Sequence, residues 1–165
     1  MGNAMHVDRS VRLTLGELLA SSSRQYPAKE AIVFRDCRLT YRALADRANR
    51  VANMLSGLGL GKGDRCAILL YNRAEWAELY FGLAKAGIIA VPVNFRFTPA
   101  EVKYVIADSG AKALIYEEGF KSQVRELRSE ATSVADFVCM AAAALEPSPY
   151  EELLSRAPAT TPSEL

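Results

Sequence analysis

The apolar positions of this chain repeat with two different periods, and the switching between them predicts the fold. From Tyr41 to Leu58 the residues Leu44, Ala48, Val51, Ala52 and Leu55 recur at helical spacing, which predicts a long helix with one buried face. Elsewhere apolar residues gather in short runs, at Arg65–Leu70, Ile88–Val93, Ala113–Tyr116 and Phe137–Met140, the pattern of strands. Each run is followed by a polar or turn-forming stretch and then a helical pattern. Strands alternating with helices predict an α/β fold, a doubly wound, mostly parallel sheet flanked by helices with right-handed crossovers. Ahead of it, Ala31–Phe34 and Cys37–Thr40 flank Arg35-Asp36 and predict a small N-terminal antiparallel hairpin.

The stretch from Leu83 to Arg96 is the most informative. Gly87 must end a helix, because glycine takes the left-handed cap without a Cβ penalty. Ile88–Val91 is apolar on both faces, which places it inside a parallel sheet covered by helices. Pro92 has no N–H to give and marks where the ladder stops. Asn94 and Arg96 follow at the carboxyl end of the strand, the edge at which open α/β sheets bind ligands.

Helix starts are marked by a capping residue with Glu three positions later: Thr14/Glu17, Asn72/Glu75, Thr98/Glu101 and Ser148/Glu151. Pro99 and Pro149 stand at first helical positions, where a missing N–H costs nothing. Gly59 and Gly61 are expected to end the long helix. Phe120–Glu130 reads as an amphipathic, solvated outer helix, and Ala157 onward as a flexible surface segment.

Composition narrows the function more than it identifies it. The 165 residues are 50% hydrophobic, enough for a real core. The 20 basic and 19 acidic residues leave a net charge of +1, which gives no reason to expect nucleic acid or an anionic membrane as a partner. Cys37, Cys66 and Cys139 are odd in number and unpaired in spacing, so they read as reduced thiols in a cytoplasmic protein. No stretch has the length and apolarity of a transmembrane segment, and Met1–Ser10 lacks a signal-peptide core.

Candidate chemistry is sparse. His6 is the single histidine and falls in a head expected to be disordered, which argues against a zinc site or a Ser/His/Asp triad. No GxGxxG occurs, and the glycine-rich Gly57–Gly63 follows a helix, whereas a phosphate cradle follows a strand; a helix stop and turn is the better reading. The carboxylate pairs Glu17/Glu30, Glu117/Glu118 and Glu151/Glu152 are explained by surface solvation, and Trp76 and Tyr80 by core packing.

Several of these stretches together resemble the adenylate-forming (AMP-binding) enzymes. Leu39-Thr40-Tyr41-Arg42-Ala43-Leu44 looks like that family's first motif, with Ala43 where a Glu usually stands. Gly63-Asp64-Arg65-Cys66-Ala67-Ile68-Leu69-Leu70-Tyr71-Asn72 looks like the strand-to-helix step that follows, and Leu83–Val93 like the second motif. Val93-Asn94-Phe95-Arg96-Phe97-Thr98-Pro99-Ala100-Glu101 is similar to the acyl-CoA synthetase/ligase branch. The likeness runs from about Leu13 to the end, and the order and spacing of the motifs carry it.

The resemblance implies an enzyme that uses ATP and Mg²⁺ to convert a carboxylic acid to an acyl-adenylate and then transfers the acyl group to CoA. The phosphate-holding Thr/Ser/Gly-rich loop with its Lys, and the catalytic Lys of a mobile C-terminal domain, have no counterpart in this sequence. The chain therefore reads as an N-terminal fragment of such a ligase, a partial domain inactive alone, with no cofactor held tightly. Its partner would be the missing remainder of the ligase, and an exposed sheet edge would permit homo-oligomer formation. Residues 1–12 would be a disordered head or cloning remnant, 13–156 the α/β subdomain, and 157–165 a flexible tail leading towards the absent phosphate loop. Within the CoA-ligase branch, the resemblance implies that an arginine at the position of Arg96 approaches the phosphates of the CoA nucleotide, a task suited to a planar, permanently charged donor array. The plain alternative is a surface arginine pairing with Glu101. For the whole chain the alternatives are a stand-alone non-catalytic interaction module and an unrelated flavodoxin-like or Rossmann-like binder.

Overall fold

A computed structural model describes residues 14–129 and 133–162. The expected head at 1–12, with His6, and the last residues of the expected tail lie outside the described residues.

The chain first forms α1 (Leu15–Gln25), then the hairpin β1 (Glu30–Phe34) and β2 (Cys37–Thr40), antiparallel with Phe34 opposite Cys37. α2 (Tyr41–Gly57) follows directly, capped by the Thr40 hydroxyl accepting from the Ala43 N–H. Then strands and helices alternate: β3 (Arg65–Leu69), α3 (Glu75–Lys85), β4 (Ile89–Pro92), α4 (Pro99–Ser109), β5 (Ala113–Glu117), a single 3-10 turn at Glu118–Phe120, α5 (Lys121–Ser129), β6 (Asp136–Met140) and α6 (Pro149–Arg156). The sheet is parallel throughout, in the order β4-β3-β5-β6.

Alternation along each strand sends side chains to two cores. Cys66, Ile68 and Leu70, with Ala113, Ile115, Val138 and Met140, pack under α2, α3 and α6. Ala67, Leu69, Leu114, Tyr116 and Cys139 pack under α4 and α5, which contribute Val102, Ile106, Val124 and Leu127. A third cluster seals α1 and the hairpin onto α2 and α3 through Leu19, Leu44, Ala45 and Ala48. The doubly wound sheet and the hairpin are thus as the apolar pattern predicts. Helices α2 and α3 approach closely because Gly82 has no side chain: a Cβ there would lie 2.9 Å from the Ala48 carbonyl and closer still to Val51.

Two local expectations are corrected. β4 is not interior: it pairs only with β3 among the described residues, and Ile89 is 52% exposed. Its proline explains the edge position, since Pro92 offers no N–H to a further neighbour. α3 is not capped by Asn72; its N-cap is Ala74, without a side-chain hydrogen bond, because the Glu75 carboxylate turns onto Arg73 instead of reaching back. The long helix stops as expected: α2 ends at Gly57 with Leu58 as its C-cap, and Gly59 just beyond takes a φ of +84°, with the Leu60 N–H returning to the Leu55 carbonyl at 3.1 Å; Gly63 and Gly87 also take positive φ in the turns that follow helices. Elsewhere Thr98 and Glu101 form the complete capping box, and Thr14 and Ser148 accept from the N–H of Glu17 and Glu151.

Of the carboxylates read as solvated from the sequence, Glu117 is buried, and so is Glu78, which that reading did not name. Glu78 on α3 is fully buried, receiving Nη2 of Arg47 at 2.8 Å, a second bond from Arg47 Nε, and the Tyr150 hydroxyl at 2.7 Å. The same guanidinium holds Glu151, with Nη2 to Oε1 at 2.5 Å, so one arginine of α2 clamps α3 and α6 together. Burial pushes the Glu78 carboxyl above the ordinary carboxylate range, against the pull of Arg47 and Tyr150. Trp76 does pack half-buried against the first core, whereas its stacked neighbour Tyr80, 5.5 Å away between ring centroids, is exposed.

Removing one partner of a buried pair leaves an uncompensated charge. Arg47→Met is therefore expected to destabilise the fold by about 3–5 kcal/mol at neutral pH. A carboxyl whose folded pKa is raised stabilises the fold below its ordinary value of 4.5 and loses that contribution as pH rises through the folded pKa. The gap between the variant and the parent chain should accordingly narrow towards acid and widen towards neutral pH. Urea unfolding midpoints of both chains between pH 4 and pH 8 check this; a gap independent of pH would show that Glu78 is not the source.

Candidate functional site

The helices after β3 and β5 leave the sheet on opposite faces, α3 with the first core and α5 with the second. Adjacent strands whose connections diverge in this way open a crevice at their carboxyl ends. Here the crevice is a cavity of about 570 Å³, between the hairpin turn Phe34–Cys37, the β3 exit Tyr71–Arg73, Glu117 at the end of β5, and the β6 exit at Ala142–Leu145.

The floor of this cavity is held by Arg73, 9% exposed. Its guanidinium donates to both oxygens of Glu75 at 3.0 and 2.6 Å, to the Ala141 carbonyl at 2.7 Å and to the Ala143 carbonyl at 3.2 Å, and it lies 3.3 Å from Glu117. Glu75 also accepts the Leu145 N–H at 3.0 Å, and Glu117 accepts the Tyr71 N–H at 3.3 Å. Burial pushes the Glu75 carboxyl up, but the Arg73 hydrogen bonds and charge outweigh it and hold it below the ordinary range. The exits of three strands are thereby fixed by one ion-paired cluster. It reads as a support for the cavity rather than a proton-transfer pair, because both oxygens of Glu75 and one of Glu117 are already engaged.

The rim is aromatic and basic. Tyr71 packs on Phe120 at 4.7 Å and on Phe95 at 5.2 Å, and the Arg96 guanidinium lies 5.4 Å from the Phe95 ring. Arg96 is exposed, in the turn after β4, with its N–H on Asn94 Oδ1 at 3.0 Å. The expected pairing with Glu101 is not formed: the Glu101 carboxylate is taken by the Thr98 N–H and hydroxyl at 2.8 and 2.9 Å. No ion pair of Arg96 occurs among the described residues. Arg96 thus stands at the carboxyl edge as read from sequence, beside the cavity rather than lining it. Arg35, at the hairpin tip with φ of +50°, does line it.

Sequence reasoning missed Arg73, Glu75, Glu117 and Arg35. A usable signal existed for Glu75 and Glu78, which share the inward helical face of Leu79 and Gly82 and so could not be solvated. Nothing comparable marked Arg35. The described residues contain no cluster of His, Cys, Asp or Glu fit for a metal ion, and none of their helices is long and apolar enough to cross a membrane.

The chain was compared with known proteins. It is 37% identical over 119 residues to the long-chain-fatty-acid–CoA ligase FadD13 of Mycobacterium tuberculosis, a match covering 71% of this chain and 24% of that protein. It is 35% identical over 114 residues to the fatty acid–[acyl-carrier-protein] ligase ScoC of Streptomyces coeruleorubidus, covering 69% and 22%. A solved Mycobacterium tuberculosis fatty acyl CoA synthetase superposes with a TM-score of 0.82 at 33% identity, covering 91% of this chain and 30% of that one. The chain thus spans about a quarter of the length of its curated relatives, and its fold is that of the corresponding part of the synthetase. With the family model for AMP-binding enzymes matching residues 19–164, nearly its whole length, the chain belongs to the AMP-binding enzyme family.

Proposed function

We propose that this chain supplies the N-terminal α/β unit of a carboxylic acid–CoA ligase. The complete enzyme would use ATP and Mg²⁺ to form an acyl-adenylate and then pass the acyl group to CoA. The observation that carries the CoA assignment is Arg96: a permanent cation at the carboxyl edge of the sheet, stacked on an aromatic rim, with no carboxylate paired to it among the described residues. A planar donor fork at that place suits the phosphates of a nucleotide. A stand-alone interaction module and an unrelated Rossmann-like binder lose their support, since the family match and the similarity to acyl-activating ligases both run through the motifs quoted from sequence.

The chain's partner is the remainder of the ligase. Residues Asn94–Arg96 and the exposed edge strand β4 face where further polypeptide can pack, and that same edge would allow self-association in its absence. The three cysteines carry no disulfide, in keeping with a reducing cytoplasm; burial lifts the Cys66 thiol to about 12 and so keeps it protonated. Alone, the chain is expected to hold neither ATP nor CoA tightly, because it spans about a quarter of the length of its curated relatives.

Two measurements test this reading. In a full-length ligase carrying this chain, Arg96→Ala is expected to weaken thioester formation about ten- to a hundredfold through the loss of a charge-assisted contact, with pyrophosphate exchange nearly unchanged. Arg96→Lys should recover only part, as the planar fork is lost. An unchanged apparent affinity for CoA in the Ala variant would rule the role out, and a parallel fall in both half-reactions with the melting temperature would mark Arg96 as structural. The isolated chain should give no ATP–pyrophosphate exchange with any of a panel of carboxylic acids; clear exchange would sink the assignment of the nucleotide-holding groups to the rest of the enzyme.

A further inference from the structure

The segment after α6 has no strand or helix to satisfy its backbone, yet its carbonyls are engaged in sequence by side chains of one helix. Arg50 on α2 donates through Nη1 to the carbonyls of Ala157 at 2.5 Å, Ser155 at 3.1 Å and Leu154 at 3.4 Å. Asn49 Nδ2 donates to the Ala159 carbonyl at 2.8 Å. Asn53 Nδ2 donates to the carbonyls of Pro158 at 2.8 Å and Thr160 at 2.9 Å. Every donor is a side chain of α2 and every acceptor is main chain, so the strip binds this arm without reading its sequence. It takes the place of a β-ladder for residues that Pro158, lacking an N–H, makes unfit for one.

Asn49 shows what the arrangement costs. The residue is 9% exposed, and with its amide committed to Ala159 its own Oδ1 is buried without a donor among the described residues. Leaving a buried acceptor unpaired is unfavourable. A helix that only needed to pack would do better with an apolar side chain there. One turn earlier Arg47 clamps Glu151 of α6, so α2 holds the C-terminal arm from α6 to Thr160. Beyond that point Thr161 and Pro162 close a second cavity, of about 480 Å³, with Lys62, Lys85 and Gly87.

We propose that Asn49, Arg50 and Asn53 are positioning residues, which fix the place and direction in which the chain leaves the domain after Thr160. Resting on the ligase reading above, the following polypeptide carries groups that hold ATP, and the strip sets where those groups stand. It acts through the backbone it holds and touches no substrate.

The test has two arms. In this chain, Asn53→Ala and the Asn49→Ala/Asn53→Ala pair should lower the backbone amide order parameters at Ala159–Thr161 from the rigid range of about 0.85 to below about 0.6, with those of α2 and the parallel sheet unchanged. Asn53→Ala removes a half-buried side chain and keeps the fold measurable if the pair does not fold. Unaltered order parameters at Ala159–Thr161 in Asn53→Ala overturn the proposal. In a full-length ligase carrying the chain, the same substitution should raise the KM for ATP several-fold in pyrophosphate exchange and leave the KM for the acid unchanged. A loosened arm with an unmoved KM for ATP overturns the positioning role. A full-length parent that gives no pyrophosphate exchange with any acid overturns the ligase reading and the ATP role with it, while the order parameters of the chain still decide whether the strip holds the arm.

Discussion

The carboxyl edge of this domain depends on a single buried guanidinium. Arg73 follows β3 immediately and meets α3 through Glu75, β5 through Glu117 and the β6 exit through two carbonyls. A charged donor array with five N–H groups can satisfy several acceptors in one plane, which no apolar side chain and no lysine can do. The desolvation this demands is offset only because two carboxylates and two carbonyls surround it. The cavity between the hairpin and the sheet therefore has a rigid floor before any ligand arrives.

α2 plays the matching role on the other side of the molecule. Its inward face, Leu44, Ala48, Val51, Ala52 and Leu55, packs on the sheet and on α3, where Gly82 lets the two backbones close up. Its flank is polar and equally committed: Arg47 to α3 and α6, then Asn49, Arg50 and Asn53 to the arm beyond. One helix thus fixes both the core and the path of the departing chain. The Thr40 cap ties the start of that helix to the hairpin, whose tip forms the opposite wall of the cavity.

The fold was legible because apolar periodicity reports burial directly. Each strand of the parallel sheet lies within a residue or two of the run that predicts it, as Ala113–Glu117 against Ala113–Tyr116 shows. The edge position of β4 was not legible from its composition: an all-apolar run is compatible with an interior strand, and Pro92 was read as a stop when it also limits pairing to one side. The buried acids were missed for a related reason. Residue type alone assigns Glu to the surface; the helical face of α3 marks Glu78 as inward, but the partners that receive Glu78 and Glu117, Arg47 and Arg73, lie far off in sequence, and pairing over such separations leaves no local pattern. Ser148 shows the same limit in reverse, since its cap was read correctly while the carboxylate expected to complete the box, Glu151, is taken by Arg47.

What distinguishes Arg96 from Arg47, Arg73 and Arg65 is where its charge goes. Arg47 and Arg73 are each set between carboxylates and spend their charge inside the fold, and Arg65 is turned onto the carbonyls of Ser109 and Gly110 at the amino edge of the sheet. At the carboxyl edge Arg96 rests on Phe95, in contact through Tyr71 with the ring of Phe120. An aromatic face orients a guanidinium without neutralising it, so the cation keeps its attraction for an anion arriving from outside. An exposed arginine paired to a carboxylate would be half-cancelled before a ligand reached it. The capping box that occupies Glu101 thus has a second effect: by holding the acid at the start of α4, it leaves Arg96 uncompensated at the carboxyl edge of the sheet.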